Sequence, residues 1–209
     1  SDQDDPNDAL GQLNALLDII GNRMDPAYDL SPDMQSAWAD LEPNLLGRRA
    51  DTQMFAMGRF YDAARSLDRA VRAAREQDWQ DHPVRRAFLI RLHHKAALAY
   101  ALSGNTTRAR SFYEQGLALE PGVESEQRIE LFRIFRDVAS AMLMDQGRTE
   151  ALLQIADPEY TVVNERDRDK RQYQLFAIEY LLRSGVLADR DTERAAVEER
   201  RAFLIRPFM

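Results

Sequence analysis

The residues of this chain best suited to proton transfer or metal binding are three histidines, His82, His93 and His94. Neighbours on a helix point about 100° apart. His93 and His94 therefore cannot form the i, i+4 pair that a helical zinc site requires, and each is expected to be a packed or surface histidine. Asp78, Asp81 and His82 could crowd one linker, but the calcium-loop pattern is absent, and Asp81 reads instead as a cap before Pro83. The chain has no cysteine, which removes thiolate catalysis, disulfides and cysteine metal sites together. No phosphate loop, nucleophile elbow or paired-carboxylate constellation occurs. The expectation is a protein that is not an enzyme, with no catalytic residue, no metal and no cofactor.

Charge narrows the partners. A net charge of −7 and a pI near 5.1 argue against nucleic acid, which demands clustered cationic surface, and against an anionic membrane surface. The cations are almost all arginine; Lys95 and Lys170 are the only lysines. Arginine forms bidentate, permanently charged pairs and so supports ion-pair networks, although GC-rich bacterial coding explains the bias more simply. No apolar run approaches the ~18 residues of a membrane span, so the reading is a soluble bacterial protein. The polar start at Ser1 fits a mature terminus after signal removal, a trimmed native start or an artificial boundary, which leaves cytoplasm or periplasm open.

These residues must be carried by helices. The chain of 209 residues suits one sizeable domain, or a small one with an appendage. Its punctuation is helical, and the β-branched run Thr161-Val162-Val163 is too short to build a sheet. Asn7 is expected to cap a first helix with Leu10, Leu13, Leu17 and Ile20 on one face. Ser31-Pro32-Asp33 is a strong start for a second helix, buried through Trp38 and Leu41 and ended by Pro43. Four helix pairs follow. They run from 45 to 57 and 61 to about 79, from 83 to 103 and 107 to 119, from 126 to 146 and 149 to 156, and from 165 to 184 and 192 to about 205. Gly58, Gly104, Gly147 and Gly185 turn within them, each closing a first helix in the left-handed conformation.

The best unit runs from Leu92 to Gly122. Ala97, Tyr100, Gly104, Ala109, Tyr113, Gly116 and Pro121 stand in it where small, aromatic, glycine and proline residues let two helices pack closely and then stop. In these residues the chain resembles the tetratricopeptide repeat family. Around Gly58, Ala63 and Ala70 match, but Asp51 replaces the small residue of the first helix. Around Gly147, Ala139 and Ser140 fit, while the alanine of the second helix comes one residue early, at Ala151. Ala177 and Leu181 fit around Gly185. The resemblance implies an all-α, right-handed solenoid of three to four antiparallel helix pairs over residues 44–205. A helical extension at 1–43 and an apolar tail at 206–209 complete it.

The resemblance also implies a concave groove lined by the first helices, which binds peptides or protein surfaces. By position the groove candidates are Arg48, Thr52 and Phe55, then Arg91, His94, Leu98 and Leu102, then Asp137, Ala141 and Met144, and finally Gln172, Leu175, Glu179 and Arg183. The alternative for each is a place in the packed interface between repeats. The family's carboxylate clamp uses lysine and asparagine at these places; His94 and Leu98 stand there, so that activity is not supported.

Two further features stand out. Asn164 to Arg171 alternates in charge and reads as a solvated helix start, with Asp167 able to pair with Arg171. Arg85-Arg86-Ala87-Phe88-Leu89-Ile90-Arg91 recurs identically from Arg200 to Arg206, followed by Pro207-Phe208-Met209. That ending reads as a cap on the last repeat, or else as an interaction or dimerisation element. The function expected is a protein–protein interaction scaffold binding an unidentified protein or peptide. The alternatives are a ligand-responsive regulatory domain and a self-associating structural subunit, such as a homodimer.

Overall fold

The computed structural model describes residues 5–23, 31–123, 125–143, 149–159 and 167–205. Nine α-helices occur among them, and no strand. They are α1 (Pro6–Arg23), α2 (Pro32–Asp51), α3 (Phe60–Glu76), α4 (Pro83–Leu102), α5 (Thr106–Leu119), α6 (Glu126–Leu143), α7 (Thr149–Ala156), α8 (Asp167–Arg183) and α9 (Asp191–Ile205). No helix among the described residues is long and apolar enough to cross a membrane. Met144, Gly147, Thr161 to Val163, Asn164 to Arg166, Arg206 and the Pro207–Met209 tail lie outside the described residues, as does the Trp38 side chain.

α3 illustrates why these segments coil and pack. Ala63, Ala64, Leu67, Ala70, Val71 and Ala74 form a buried stripe, while Arg65, Arg69 and Arg72 point to water. α4 is the central rod. It touches α3, α5, α6 and α8, and every residue from His93 to Tyr100 is buried. Ala97 and Ala109 are fully buried where α4 meets α5, and Tyr100 stacks on Phe112 at 5.4 Å. Gly58, Gly104 and Gly185 all have positive φ, of 65°, 82° and 76°, and each ends a first helix as expected. After Gly104, the Asn105 side chain caps α5 by accepting from the Arg108 amide at 3.1 Å.

Several boundaries differ from the sequence expectation. α2 does not end at Pro43 but runs through it to Asp51. Pro43 offers no amide to the helix, and beside it the Asn44 side chain donates to the Asp40 carbonyl at 2.9 Å. Leu41 is 47% exposed and is not a core anchor. The first helix is capped by Asp5, whose carboxylate accepts from the Asn7 amide at 2.8 Å, and not by Asn7. α3 ends at Glu76, short of Trp79, because Asp78 turns the chain at φ 53° into a short 3-10 turn, Trp79–Asp81. The expected face of α1 is present: Leu17 and Ile20 are buried against α2, with Leu10 and Leu13 partly so.

The helices do not simply follow one another. α8 returns to α2, α4 and α6. Its Phe176 meets Phe55 at 5.2 Å and Phe135 at 6.2 Å, both edge-on. Arg183, near its end, lies 4.1 Å over the Phe60 ring of α3. One core cluster consequently gathers residues from α2 through α9.

Candidate functional site

α2, α4 and α8 meet around a cleft of about 360 Å³. At its base are three buried polar side chains, Asp51, Lys95 and Gln172. Lys95 Nζ donates to Asp51 Oδ1 at 2.5 Å and to Gln172 Oε1 at 3.2 Å. Gln172 Nε2 donates in turn to Asp51 Oδ2 at 2.7 Å. A buried charge is tolerated only when paired and hydrogen-bonded, and this triangle meets that condition. Asp51 closes α2 where a π-helical turn, Thr52–Ala56, carries the chain toward Gly58.

Above the triangle the cleft changes character. Arg91 Nη2 donates to Gln172 Oε1 at 3.4 Å, and its guanidinium lies 5.1 Å from the Phe135 ring. Arg48 stands exposed at the mouth. Leu41, Phe88 and Leu92 form apolar walls, with the buried Trp79 behind them. Trp79 Nε1 donates to Asp40 Oδ1 at 3.1 Å, and Asp40 also takes the Arg85 guanidinium. The cleft thus combines an apolar slot with two guanidiniums at its rim. It suits an apolar group that carries an acid.

The structure separates the predicted groove residues. Arg48, Arg91 and Gln172 come from three helices and line this one cleft. Thr52 and Ala141 are buried, Phe55, Leu98 and Leu175 are wholly so, and Leu102 is partly exposed. Phe55, Leu98, Ala141 and Leu175 belong to one core cluster, with Leu102 packed against it. Glu179 is buried at the α8–α9 junction, where it pairs with Arg183 at 3.1 Å and with Arg201. Asp137 pairs with Arg136 at 3.1 Å on the α6 surface. Asp51 and Lys95 were not among the candidates, yet both carried a signal. Asp51 is a charge where a small residue was expected, and Lys95 is one of two lysines in an arginine-rich chain.

The histidines have other roles. His82, not Asp81, is the N-cap of α4: its Nδ1 accepts from the Val84 and Arg85 amides at 3.3 and 3.4 Å. His93 is fully buried, with Nδ1 donating to the Leu89 carbonyl at 2.8 Å and Nε2 accepting from Arg75 at 3.0 Å. Burial, chiefly, pushes its pKa down to about 4. His94 is also fully buried, away from the cleft, among Tyr113, Phe132 and Glu120. Burial lowers its pKa despite the Glu120 carboxylate at 3.3 Å. Among the described residues no group of three histidine or carboxylate side chains is placed to hold a metal.

Gly116 presses on His94. A Cβ there would stand 2.7 Å from His94 Cε1 and 3.2 Å from the His93 Cβ. Both rings are enclosed and cannot swing away, so the overpacking cost of about 1–3 kcal/mol exceeds the ~1 kcal/mol of helix propensity that alanine adds. Gly116→Ala should lower Tm by roughly 2–8 °C in a thermal melt. A variant as stable as the parent would show that α5 can retreat from α4.

The second copy of the repeated segment is helical from Arg200 to Ile205 and less covered than the first. Ala87 and Ile90 are fully buried in α4, whereas Ala202 and Phe203 face solvent on α9, where only Leu204 and Ile205 are buried. Arg86 donates to the Leu119 and Pro121 carbonyls at 2.8 and 2.7 Å, and its counterpart Arg201 pairs with Glu179. Identical residues thus tie two different helices to their neighbours. No protein-family model, curated protein or solved structure matches the chain.

Proposed function

We propose that the protein is a non-enzymatic helical-repeat adaptor of tetratricopeptide type, which recognises a peptide or helix at the cleft between α2, α4 and α8. One observation carries this reading. Arg48, Arg91 and Gln172, far apart in sequence, line a single cleft whose walls are apolar. The packing of α2 on α3, α4 on α5 and α8 on α9, together with the glycine that ends α4 and α8, supports the repeat assignment. The cleft holds one or two side chains, not a whole segment. It therefore acts as an anchor pocket, in which an apolar side chain enters between Phe88 and Leu92 while a neighbouring carboxylate meets Arg48 and Arg91.

A displayed peptide library selected against the whole protein tests this directly. Recovered sequences should share an apolar residue beside an acidic one. Arg48→Glu with Leu41→Asp, both at exposed positions, should weaken the selected peptide about tenfold or more. Peptides that bind the double variant as well as the parent would rule the cleft out. Selection of a small amphipathic acid in place of any peptide would transfer the site to the ligand-responsive alternative.

A further inference from the structure

Arg65, Arg69 and Arg72 recur along the outer face of α3, beside a groove of about 980 Å³ bordered by α2, α3 and α5. Arg49 from α2 and Arg108 from α5 complete its wall, and the carboxylates lining it are Asp62 and Asp68. A local excess of cations therefore stands on a chain whose net charge is −7. The groove shares no lining residue with the cleft between α2, α4 and α8.

Its floor is fixed and polar. Arg49 Nε donates to Ser66 Oγ at 3.1 Å, and that hydroxyl donates to Gln53 Oε1 at 2.8 Å, both acceptor residues being buried. Its rim is exchangeable. Glu42 takes Arg69 at 2.6 Å, while Arg72 and Arg108 share Asp68 at 3.5 and 3.4 Å. Such exposed pairs contribute about 0–1 kcal/mol each, so an incoming carboxylate competes with them on equal terms. Arg65 makes no ion pair with a described residue. Burial, and then the adjacent Arg69, push the Arg49 pKa below its ordinary value. Cations here outnumber the charge that would settle them. Tyr61, 58% exposed, adds a broad apolar ring beside them.

We propose that this groove docks an acidic protein segment in extended form, whose alternate carboxylates meet Arg65, Arg69 and Arg72. The spacing is compatible: the four residues from Arg65 to Arg69 rise about 6 Å and the three from Arg69 to Arg72 about 4.5 Å, against about 6.6 Å for two residues of extended chain, a difference that the long arginine side chains span. Each guanidinium presents the fork that a carboxylate accepts. A short segment experiences only the local field. A long nucleic acid must also approach the acidic body of the molecule.

Fluorescence anisotropy with the full chain tests the proposal. The probes are a fluorescein-labelled peptide of alternating Glu and Ser around one Tyr, and a labelled oligothymidylate of equal length. The peptide should bind at low salt and weaken about tenfold or more between ~20 and ~150 mM salt. Arg65→Glu with Arg72→Glu should lower its affinity at least about tenfold. Arg110→Glu with Arg194→Glu, an equal charge change on exposed positions outside the groove, should leave most of it. A circular-dichroism melt confirms that both double variants are folded. Absence of peptide binding at low salt, or equal losses in both double variants, would overturn the proposal. Tighter binding of the oligonucleotide through the same arginines would overturn it as well.

Discussion

Lys95→Met should destabilise the protein by about 3–5 kcal/mol, more than any surface change described above. The substitution keeps the length and apolar stem of the side chain. It removes the ammonium that Asp51 meets at 2.5 Å inside a region where both residues are buried. The carboxylate then stays in the core without the Lys95 ammonium, and the desolvation that this pair offset becomes a net cost. Replacing the whole triangle, with Asp51→Leu and Gln172→Leu added, should return part of the loss, since the three buried polar groups leave together while Arg91 gives up its Gln172 acceptor. Urea unfolding of the parent, single and triple variants measures this. A single variant within about 1 kcal/mol of the parent would mean that water or another side chain replaces Lys95 at little cost.

Acid should unfold the protein through its buried histidines. His93 has its pKa held down to about 4, against an ordinary value of 6.5, mainly by burial, and His94 is lowered for the same reason. The folded state therefore binds fewer protons than the unfolded chain as pH falls below 6.5. The stability linked to neutral His93 is fully present above that value and is lost progressively as pH falls toward 4. Its size is on the order of 3 kcal/mol. Glu120 acts in the same direction at lower pH. Burial opposes its ionisation, but the His94 hydrogen bond and Arg136 outweigh it and hold its pKa below the ordinary value. Unfolding free energies measured from pH 7.5 to 4 should fall through this window. His93→Leu, although less stable at neutral pH, should show a flatter profile. An unchanged slope in that variant would assign the acid sensitivity elsewhere.

Much of the architecture was legible in the residues. Glycines at 58, 104 and 185 punctuate helices because the left-handed backbone costs them little, and the apolar face of α1 follows from its 3.6 periodicity. Caps were less legible. Asn7 and Asp5 are both good capping residues, and His82 took the role expected of Asp81 because its ring nitrogen reaches two amides at once. The candidate site was only half legible. Periodicity says which face of α2 or α8 turns inward, but not whether the inward faces enclose a groove or touch. Phe55 and Phe176, 121 residues apart, touch. That contact turns most of the expected groove into core and leaves a cleft only around Arg48, Arg91 and Gln172.

The Asp51–Gln172 hydrogen bond also bears on how the chain is made. It joins residues 121 positions apart, so α2, α3 and α4 leave the ribosome well before the helix that completes their polar centre. Until α8 arrives, the carboxylate and ammonium beneath it lack the amide that bridges them. An open array of repeats frays from its ends, each unit leaning only on its neighbours. Here the eighth helix is fastened to the second, so parts of the chain far apart in sequence share one fate. The molecule should lose its structure in a single step.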